Sequence, residues 1–173
     1  MNNATAKQPE LIERNGFITY IDEFGIEITP RVYTDGHFFK NGTARVKRNG
    51  KWGIIDTEGN EIIPCKYDWV RNFQEDLAAV ESNGKCGFAN RKGEIVIPLI
   101  WGMVRDFSEG LAGVYHDSVE HFAGFVDHTG RLVKDWTGKP WFPVGPFRNG
   151  IIKVADINCN VRYADPDGNL VSR

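Results

Sequence analysis

Apolar and polar residues alternate over short stretches along most of this chain. The segments KWGIID, Lys51–Asp56, and LAAVE, residues 77–81, are rich in β-branched and aromatic residues and are bounded by Gly, Asn and Asp. Successive side chains of a strand point to opposite faces of a sheet, so this period predicts short β-strands. Within KWGIID, Trp52 and Ile54 share one face, and an apolar pair at this spacing predicts that this face is buried.

The same apolar pair recurs at intervals along the chain. The pairs that match Trp52 and Ile54 are Ile18/Tyr20, Cys86/Phe88, Ala123/Phe125 and Val161/Tyr163. We therefore expect Trp52 to fill a core position at which the size of the side chain varies from one unit to the next.

Two kinds of turn separate the strands. Asn49-Gly50 stands between two extended stretches and predicts a tight hairpin, because both residues tolerate a positive φ. In DTEGN, Asp56 can accept backbone N–H bonds while Gly59 supplies a left-handed residue, which predicts a second hairpin. Each unit is thus predicted to be a three-stranded antiparallel meander.

A frame of 34 residues repeats along the sequence, from Val46 to Val80 and from Val80 to Val114. A unit of this size cannot bury an apolar face by itself, so neighbouring units are expected to stack. The fourth unit keeps the frame but carries two insertions of three residues, and a partial fifth unit with Asp165 and Gly168 carries an insertion of one residue. These insertions lie between Val114 and Asp127, between Gly130 and Phe147, and between Val154 and Asp165.

These patterns predict the fold class and the domain organisation. We expect an all-β array of about four three-stranded antiparallel meanders, arranged as a solenoid-like, curved or closed β-repeat structure. The array is predicted to form a single domain over residues 15–173, preceded by a loosely ordered segment, residues 1–14.

Charge and cysteine content exclude several classes of partner. The net charge is −2 at pH 7, and a chain without clustered excess cations does not attract nucleic acid or anionic membranes. The basic run Lys40–Lys51 is expected to be a solvated strand face.

The three cysteines show no CxxC spacing, so we predict reduced, mostly buried thiols without a zinc site. With no apolar signal-peptide region at the N-terminus, the chain is expected to be cytoplasmic.

The stretches NGKWGIIDTEGNEIIPCKYDWVRNFQEDLAAV and NGKCGFANRKGEIVIPLIWGMVRDFSEGLAGV resemble the WG repeat, also called the KWG repeat, of bacterial proteins. The Lys-Trp-Gly, Asp-x-x-Gly, Ile-Pro and Phe-x-Glu-Gly-Leu elements recur in one order, and the resemblance covers residues 15–173. It implies an all-β scaffold without catalytic residues that serves as an interaction module. Some members occur in bacterial toxin and immunity settings.

Titratable residues suggest little chemistry. The recurring acids Asp22, Asp56, Asp127 and Asp165 are interpreted as turn formers, because each turn offers far fewer oxygens than calcium needs. A cluster of His116, His121 and His128 could form a metal-dependent active site, which we keep as an alternative. No cofactor or metal is predicted, and we do not expect an enzyme.

The stretched fourth unit contains the best candidate for a binding surface. KDWTGKPWFPVGPF, residues 134–147, concentrates tryptophans among Gly and Pro, and aromatic residues on long loops are common interface anchors. A competing interpretation is that these aromatics cap the end of the array. The predicted partner-binding residues are Tyr115, His116, Asp117, Glu120, His121, Trp136, Lys139, Trp141 and Phe142.

The leading hypothesis is non-enzymatic binding of another protein. Its finer form is a cytoplasmic immunity protein that neutralises a cognate bacterial toxin, which rests on the family resemblance and the small size of the chain. A module that binds glycan or a cell-wall ligand through exposed tryptophans is the alternative binding function.

Overall fold

A computed structural model describes residues 7–117 and 122–172, which contain β-strands and no helix. The first ten strands are β1 (Glu10–Arg14), β2 (Phe17–Ile21), β3 (Asp35–Gly36), β4 (Thr43–Arg48), β5 (Lys51–Asp56), β6 (Glu61–Tyr67), β7 (Trp69–Val70), β8 (Leu77–Ser82), β9 (Lys85–Asn90) and β10 (Ile95–Trp101). The others are β11 (Met103–Val104), β12 (Ala112–Tyr115), β13 (Phe122–Val126), β14 (Leu132–Asp135), β15 (Trp141–Arg148), β16 (Ile151–Asp156), β17 (Val161–Ala164) and β18 (Leu170–Val171).

The contacts group the chain into two compact units. The first unit contains residues up to 72 together with 91–93. In it, β1 pairs with β2 as an antiparallel hairpin, and β3, β4, β5 and β6 form a sheet in that order. The segment 1–14, which the sequence predicts to be loosely ordered, therefore includes the strand β1.

The second unit contains residues 73–90 and those from 94 onwards. Its strands β8, β9 and β10 are neighbours in one sheet, and two four-stranded sheets follow, β11-β12-β13-β14 and β15-β16-β17-β18. All of these pairings are antiparallel. The prediction of an all-β array of antiparallel meanders is confirmed.

The meanders gain a short additional strand that the sequence does not predict. In the first unit, β3 pairs with β4 through Asp35↔Lys47 and Gly36↔Val46, and β11 pairs with β12 in the same manner. Two residues are too few to show the alternation of apolar and polar side chains that marks a strand, so in the sequence these segments resemble connectors. In the tertiary structure, β3 pairs with β4 and β11 pairs with β12. Four-stranded sheets thus replace the predicted three-stranded ones.

The turns form as the sequence predicts. Asn49 and Gly50 have φ values of 52° and 76°, which matches the two-residue hairpin turn that favours right-handed strand twist. The Asp56 carboxylate accepts hydrogen bonds from the backbone N–H groups of Glu58 and Asn60, each at 2.9 Å. Such carboxylates stabilise turns, and in the equivalent turn the backbone N–H of Asn169 helps to hold the pKa of Asp165 below its usual value.

Gly53, the glycine of the Trp-Gly pair, lies against β6, the last strand of its sheet. A Cβ atom at Gly53 would approach the carbonyl oxygen of Ile63 to 2.5 Å, which no other residue type allows without backbone movement. Beside it, the pairing shifts between Trp52↔Tyr67 and Ile54↔Ile63, so β6 bulges against β5. Sterics at this bulge therefore require glycine.

The predicted apolar face is buried at most of its positions but not at all of them. Ile54, Phe88 and Phe125 are at most 2% exposed. Trp52 is only half-buried, because its large ring extends to the surface and stacks on the His37 imidazole, with ring centroids 5.3 Å apart. Val161 is 51% exposed, so the core assignments of Trp52 and Val161 are corrected.

An aromatic cluster forms the core of the last two sheets. Its buried members include Tyr115, Phe122, Phe125, Trp136 and Phe147. The Trp136 ring packs edge-on against Phe125 with centroids 5.0 Å apart, and its indole N–H donates to the carbonyl oxygen of Pro166 at 3.0 Å. Edge-to-face pairs and a satisfied indole N–H both favour this buried position.

The three cysteines lie in different surroundings, and only Cys86 is fully buried. Cys65 is half-buried, and burial raises its pKa to about 11. Cys159 is exposed at a φ of 61° in the turn that follows Asp156, where the other turns of this type have glycine. The expectation of mostly buried thiols is thus wrong for Cys159.

Cys159 should react with a thiol reagent much faster than the other two cysteines. At about pH 8 the raised pKa of Cys65 leaves almost no thiolate, and burial shields Cys86 from the reagent. Titration with Ellman's reagent is expected to modify one thiol rapidly in the native protein and all three after denaturation. The Cys159→Ser variant should lose the rapid phase, and its persistence would contradict this placement.

Trp136→Ala should lower the free energy of unfolding by about 3–5 kcal/mol, because it removes a fully buried ring and leaves a cavity. Half-buried Trp141 is the matched control, and Trp141→Ala should cost clearly less. Guanidinium denaturation followed by circular dichroism measures both. Equal losses in the two variants would contradict the different burial of the two rings.

Candidate functional site

Residues from all three interrupted intervals of the repeat frame line one cleft. This insertion cleft has a volume of about 450 Å³, and its lining residues are His116, Phe122, Thr137, Gly138, Lys139, Pro140, Trp141, Phe142 and Ile157. His116 and Phe122 come from the first interval, residues 137–142 from the second, and Ile157 from the third. No single repeat supplies the whole lining.

Local turn chemistry positions the second wall of the insertion cleft. After β14, the Asp135 carboxylate accepts a hydrogen bond from the backbone N–H of Thr137 at 2.8 Å. The N–H of Lys139 then donates to the carbonyl of Trp136 at 2.9 Å, and Gly138 has a φ of 80°. The chain reverses here, which turns Trp136 into the core and leaves Lys139 exposed.

A similar turn presents Ile157. The Asp156 carboxylate accepts hydrogen bonds from the backbone N–H groups of Asn158 and Asn160, each at 2.9 Å. Ile157 lies inside this turn and is 85% exposed. Because Trp141 pairs with Asp156 across β15 and β16, the exposed isoleucine lies beside the tryptophan at the cleft.

The interior of the insertion cleft is mainly apolar. Trp141 and Phe142 are half-buried and pack against the aromatic core cluster, and Phe122 belongs to that cluster. The indole Nε1 of Trp141 is buried and has no hydrogen-bond partner in the part of the chain that the structure describes. An unpaired buried donor costs about 1–3 kcal/mol, so an acceptor that reached it would be stabilised.

The rim of the insertion cleft carries cationic or titratable groups. Lys139 and His116 are exposed, and neither forms an ion pair within residues 7–117 and 122–172. The His116 ring lies beside Trp101, with centroids 5.7 Å apart. Hydrogen bonds from Thr137 hold the pKa of Asp135 below its usual value, and His116 contributes to this shift. The cleft therefore combines an apolar interior with a rim that favours negative charge.

Four of the predicted partner-binding residues line the insertion cleft, namely His116, Lys139, Trp141 and Phe142. Asp117 is exposed and lies 3.8 Å from the Lys85 ammonium. Glu120 and His121 lie outside the described residues.

Two predicted partner-binding residues are corrected because they are buried. Tyr115 is 0% and Trp136 is 1% exposed. The Tyr115 hydroxyl accepts a hydrogen bond from Arg105 Nε at 2.9 Å, while Trp136 donates to Pro166. Both residues support the cleft from the core and offer no side chain to a partner.

Five lining residues are absent from the predicted partner-binding set. Thr137, Gly138 and Pro140 lie within the predicted segment 134–147, whereas Phe122 and Ile157 lie outside it. The signal for Ile157 was present, since one of the three breaks in the frame lies between Val154 and Asp165. Nothing in the local sequence connects this single-residue insertion with the longer ones.

The two described histidines of the alternative metal site, His116 and His128, lie in different surroundings. His128 stacks on Phe107 with centroids 4.5 Å apart, and its Nε2 lies 3.0 Å from a Glu75 carboxylate oxygen. His116 lies instead at the insertion cleft. Within residues 7–117 and 122–172, no group of three His, Cys, Asp or Glu side chains could hold a metal ion. The same ranges contain no helix long and apolar enough to cross a membrane.

Solved structures with a similar fold include two designed proteins and one natural protein. The computationally designed Ika8 matches with a TM-score of 0.54 at 10% identity, over 94% of this chain and 59% of its own. Hsv2 from Kluyveromyces lactis also gives 0.54 at 10% identity, over 96% of this chain and 60% of its own. The designed Ika4 gives 0.50 at 12% identity, over 82% of this chain and 98% of its own.

These likenesses show the fold alone, because the identities are low, and the neighbours are β-propeller or repeat folds. The chain spans about three fifths of the length of Ika8 and Hsv2. No curated protein sequence is significantly similar to it.

The family model for the WG containing repeat matches three times, at residues 18–52, 52–86 and 87–118. These matches follow the repeat frame and cover more than half of the sequence. The chain therefore belongs to the WG-repeat family.

Proposed function

We propose that this WG-repeat protein is a non-enzymatic binding protein whose insertion cleft receives an apolar side chain of a partner protein. The observation that carries the proposal is that all three interrupted intervals contribute residues to one cleft. Apart from core residues such as Trp136, segments that extend a repeat frame lie at the surface, where they are available for recognition.

The chemistry of the cleft favours a protein ligand. Buried aromatic or aliphatic anchors that enter apolar pockets dominate the energy of protein interfaces. Trp141, Phe142 and Ile157 offer such a pocket, and the indole N–H of Trp141 could donate to a backbone carbonyl of the partner. Lys139 and His116 would then pair with acidic residues around the anchor.

The alternative glycan function depends on exposed tryptophans that could stack on sugar rings. All five tryptophans lie in the described part of the chain, where Trp136 is buried and Trp52, Trp69, Trp101 and Trp141 are half-buried. This burial leaves little flat aromatic surface and favours the protein-binding function.

The absence of catalysis is part of the proposal. A nucleophile needs a base within hydrogen-bond reach, or a bound metal. The lining of the insertion cleft contains one histidine and one threonine but no carboxylate or cysteine. Recognition by apolar contact is therefore the chemistry that these residues support best.

The finer form of the proposal is that the chain is a cytoplasmic immunity protein that neutralises a bacterial toxin. It rests on the WG-repeat membership, because some WG-repeat proteins occur in toxin and immunity settings. In this form the partner of the insertion cleft is the toxin.

Ile157→Ser and Trp141→Ala should abolish partner capture. Ile157 is 85% exposed, so its replacement removes an apolar contact without opening the core. Ile26→Ser is the matched control, since Ile26 is 62% exposed in a turn of the first unit. Affinity capture from the native cytoplasm with mass spectrometry should find a protein retained by the wild type and by Ile26→Ser but lost from both cleft variants.

Two results would contradict the cleft as the binding site. One is a partner retained by folded Ile157→Ser protein, and the other is a partner lost equally from Ile26→Ser. Unchanged far-ultraviolet circular dichroism establishes that each variant is folded.

The immunity form predicts a growth phenotype. If an adjacent reading frame encodes a toxin, co-expression with the wild-type chain should restore growth, and co-expression with Ile157→Ser should not. Failure of the wild-type chain to protect would reject the immunity form while leaving partner binding intact.

A further inference from the structure

One cross-strand pair occupies the same position in four sheets. Its members stand directly opposite each other on adjacent strands, and its first residue immediately precedes the valine that marks the repeat. The pairs are Arg45↔Ile54, Ala79↔Phe88, Gly113↔Phe125 and Lys153↔Tyr163.

In the second unit, the second residue of the pair packs against the phenylalanine of the following repeat. Phe88 contacts Phe107, and Phe125 contacts Phe147, each with ring centroids 4.9 Å apart. In the first unit Tyr20 contacts Phe39 in the same way, at 5.2 Å. In the second unit, the face that carries the pair is therefore a packing face between repeats, and the pairs Ala79↔Phe88 and Gly113↔Phe125 on it are apolar and buried.

The last sheet presents this face to solvent. Tyr163 is half-buried, whereas Phe88 and Phe125 are at most 2% exposed. Lys153 is exposed at the position where the two preceding sheets have buried Ala79 and Gly113. Val161, the next residue along this face, is 51% exposed.

A second cleft opens on the exposed face. This end cleft has a volume of about 410 Å³, and its lining residues are Gly145, Pro146, Arg148, Asn149, Ile151, Lys153 and Tyr163. The shift in pairing between Pro143 and Phe147 makes β15 bulge here. No lining residue of the end cleft is also a lining residue of the insertion cleft.

The end cleft is cationic and lacks acidic lining residues. Neither Arg148 nor Lys153 forms an ion pair within the described ranges, in contrast to Arg48 with Glu61 at 2.7 Å. Glu109 reaches the adjoining turn, but its oxygens accept hydrogen bonds from the backbone N–H groups of Asn149 and Gly150, at 2.6 and 2.8 Å. Two cations therefore face solvent beside an aromatic ring.

We propose that the end cleft binds an acidic segment of a protein. Carboxylates would pair with the Arg148 guanidinium, which accepts bidentate partners, and with the Lys153 ammonium. Tyr163 and Ile151 supply apolar surface for the methylene groups of glutamate side chains. An acidic peptide suits this cleft better than nucleic acid does, because the net charge of the chain is −2 and the lining contains only two cationic residues, Arg148 and Lys153. This proposal does not rest on the insertion cleft.

Fluorescence anisotropy with a fluorescein-labelled hexaglutamate peptide, titrated with the whole protein at low salt, tests the proposal. The variants are Arg148→Gln and Lys153→Gln. Lys40→Gln is the matched control, because Phe39-Lys40-Asn41-Gly42 is the first-repeat equivalent of Phe147-Arg148-Asn149-Gly150 and Lys40 is exposed. Each cleft variant should weaken binding about tenfold or more, as expected for a lost charged hydrogen bond, and Lys40→Gln less than about twofold.

Specific results would overturn the proposal. One is that Lys40→Gln weakens hexaglutamate binding as much as the cleft variants do, and another is that a hexaserine peptide binds as tightly as hexaglutamate. The third is that an oligothymidylate binds more tightly than hexaglutamate and that this binding depends on Arg148 and Lys153. A concentration-dependent dimer in sedimentation that Lys153→Gln dissociates would instead assign this face to a second copy of the chain. An unchanged thermal midpoint in each variant shows that a change in affinity is not a folding defect.

Discussion

The close approach of a glycine to the neighbouring strand is the constraint on which three of the four-stranded sheets depend, whereas the last sheet has Arg162 at this position. Gly53, Gly87 and Gly124 occupy the same position in their sheets. A Cβ atom at any of them would collide with a carbonyl oxygen of the next strand, which is β6, β10 or β14. The pairing beside each glycine is irregular, so this next strand bends there. The preceding residue carries no such constraint, which explains why Trp52, Cys86 and Ala123 can share one position.

Regular repeats leave few residues available for recognition, because most side chains of the frame pack against their own sheet or the next one. Residues of the three interrupted intervals are different. Trp136 completes the aromatic core, whereas Lys139, Trp141 and Ile157 line the insertion cleft. The last sheet exposes a face that is buried in the two preceding sheets. Both candidate sites thus lie where the chain departs from the regular repeat, one at the interrupted intervals and the other at a sheet face that no following repeat covers in this structure.

The sequence predicted the strands and turns well, because period-two alternation and the φ preferences of Asn-Gly and Asp-x-x-Gly act over a few residues. It predicted the candidate site only in part. Trp136 and Trp141 lie in one Gly- and Pro-rich segment with similar local composition, yet one is core and the other borders a cleft. Alternation also failed for Val161, whose pattern is that of a core residue although its sheet face is open.

The sequence by itself determined the all-β class, the 34-residue frame, the turn positions and the three places where the frame is interrupted. Tertiary structure decided which aromatic side chains are buried and that the three interrupted intervals contribute residues to one cleft. The physical reason is that burial depends on distant partners. The indole of Trp136 is held by the carbonyl of Pro166, thirty residues away along the chain, and no local pattern around Trp136 contains that contact.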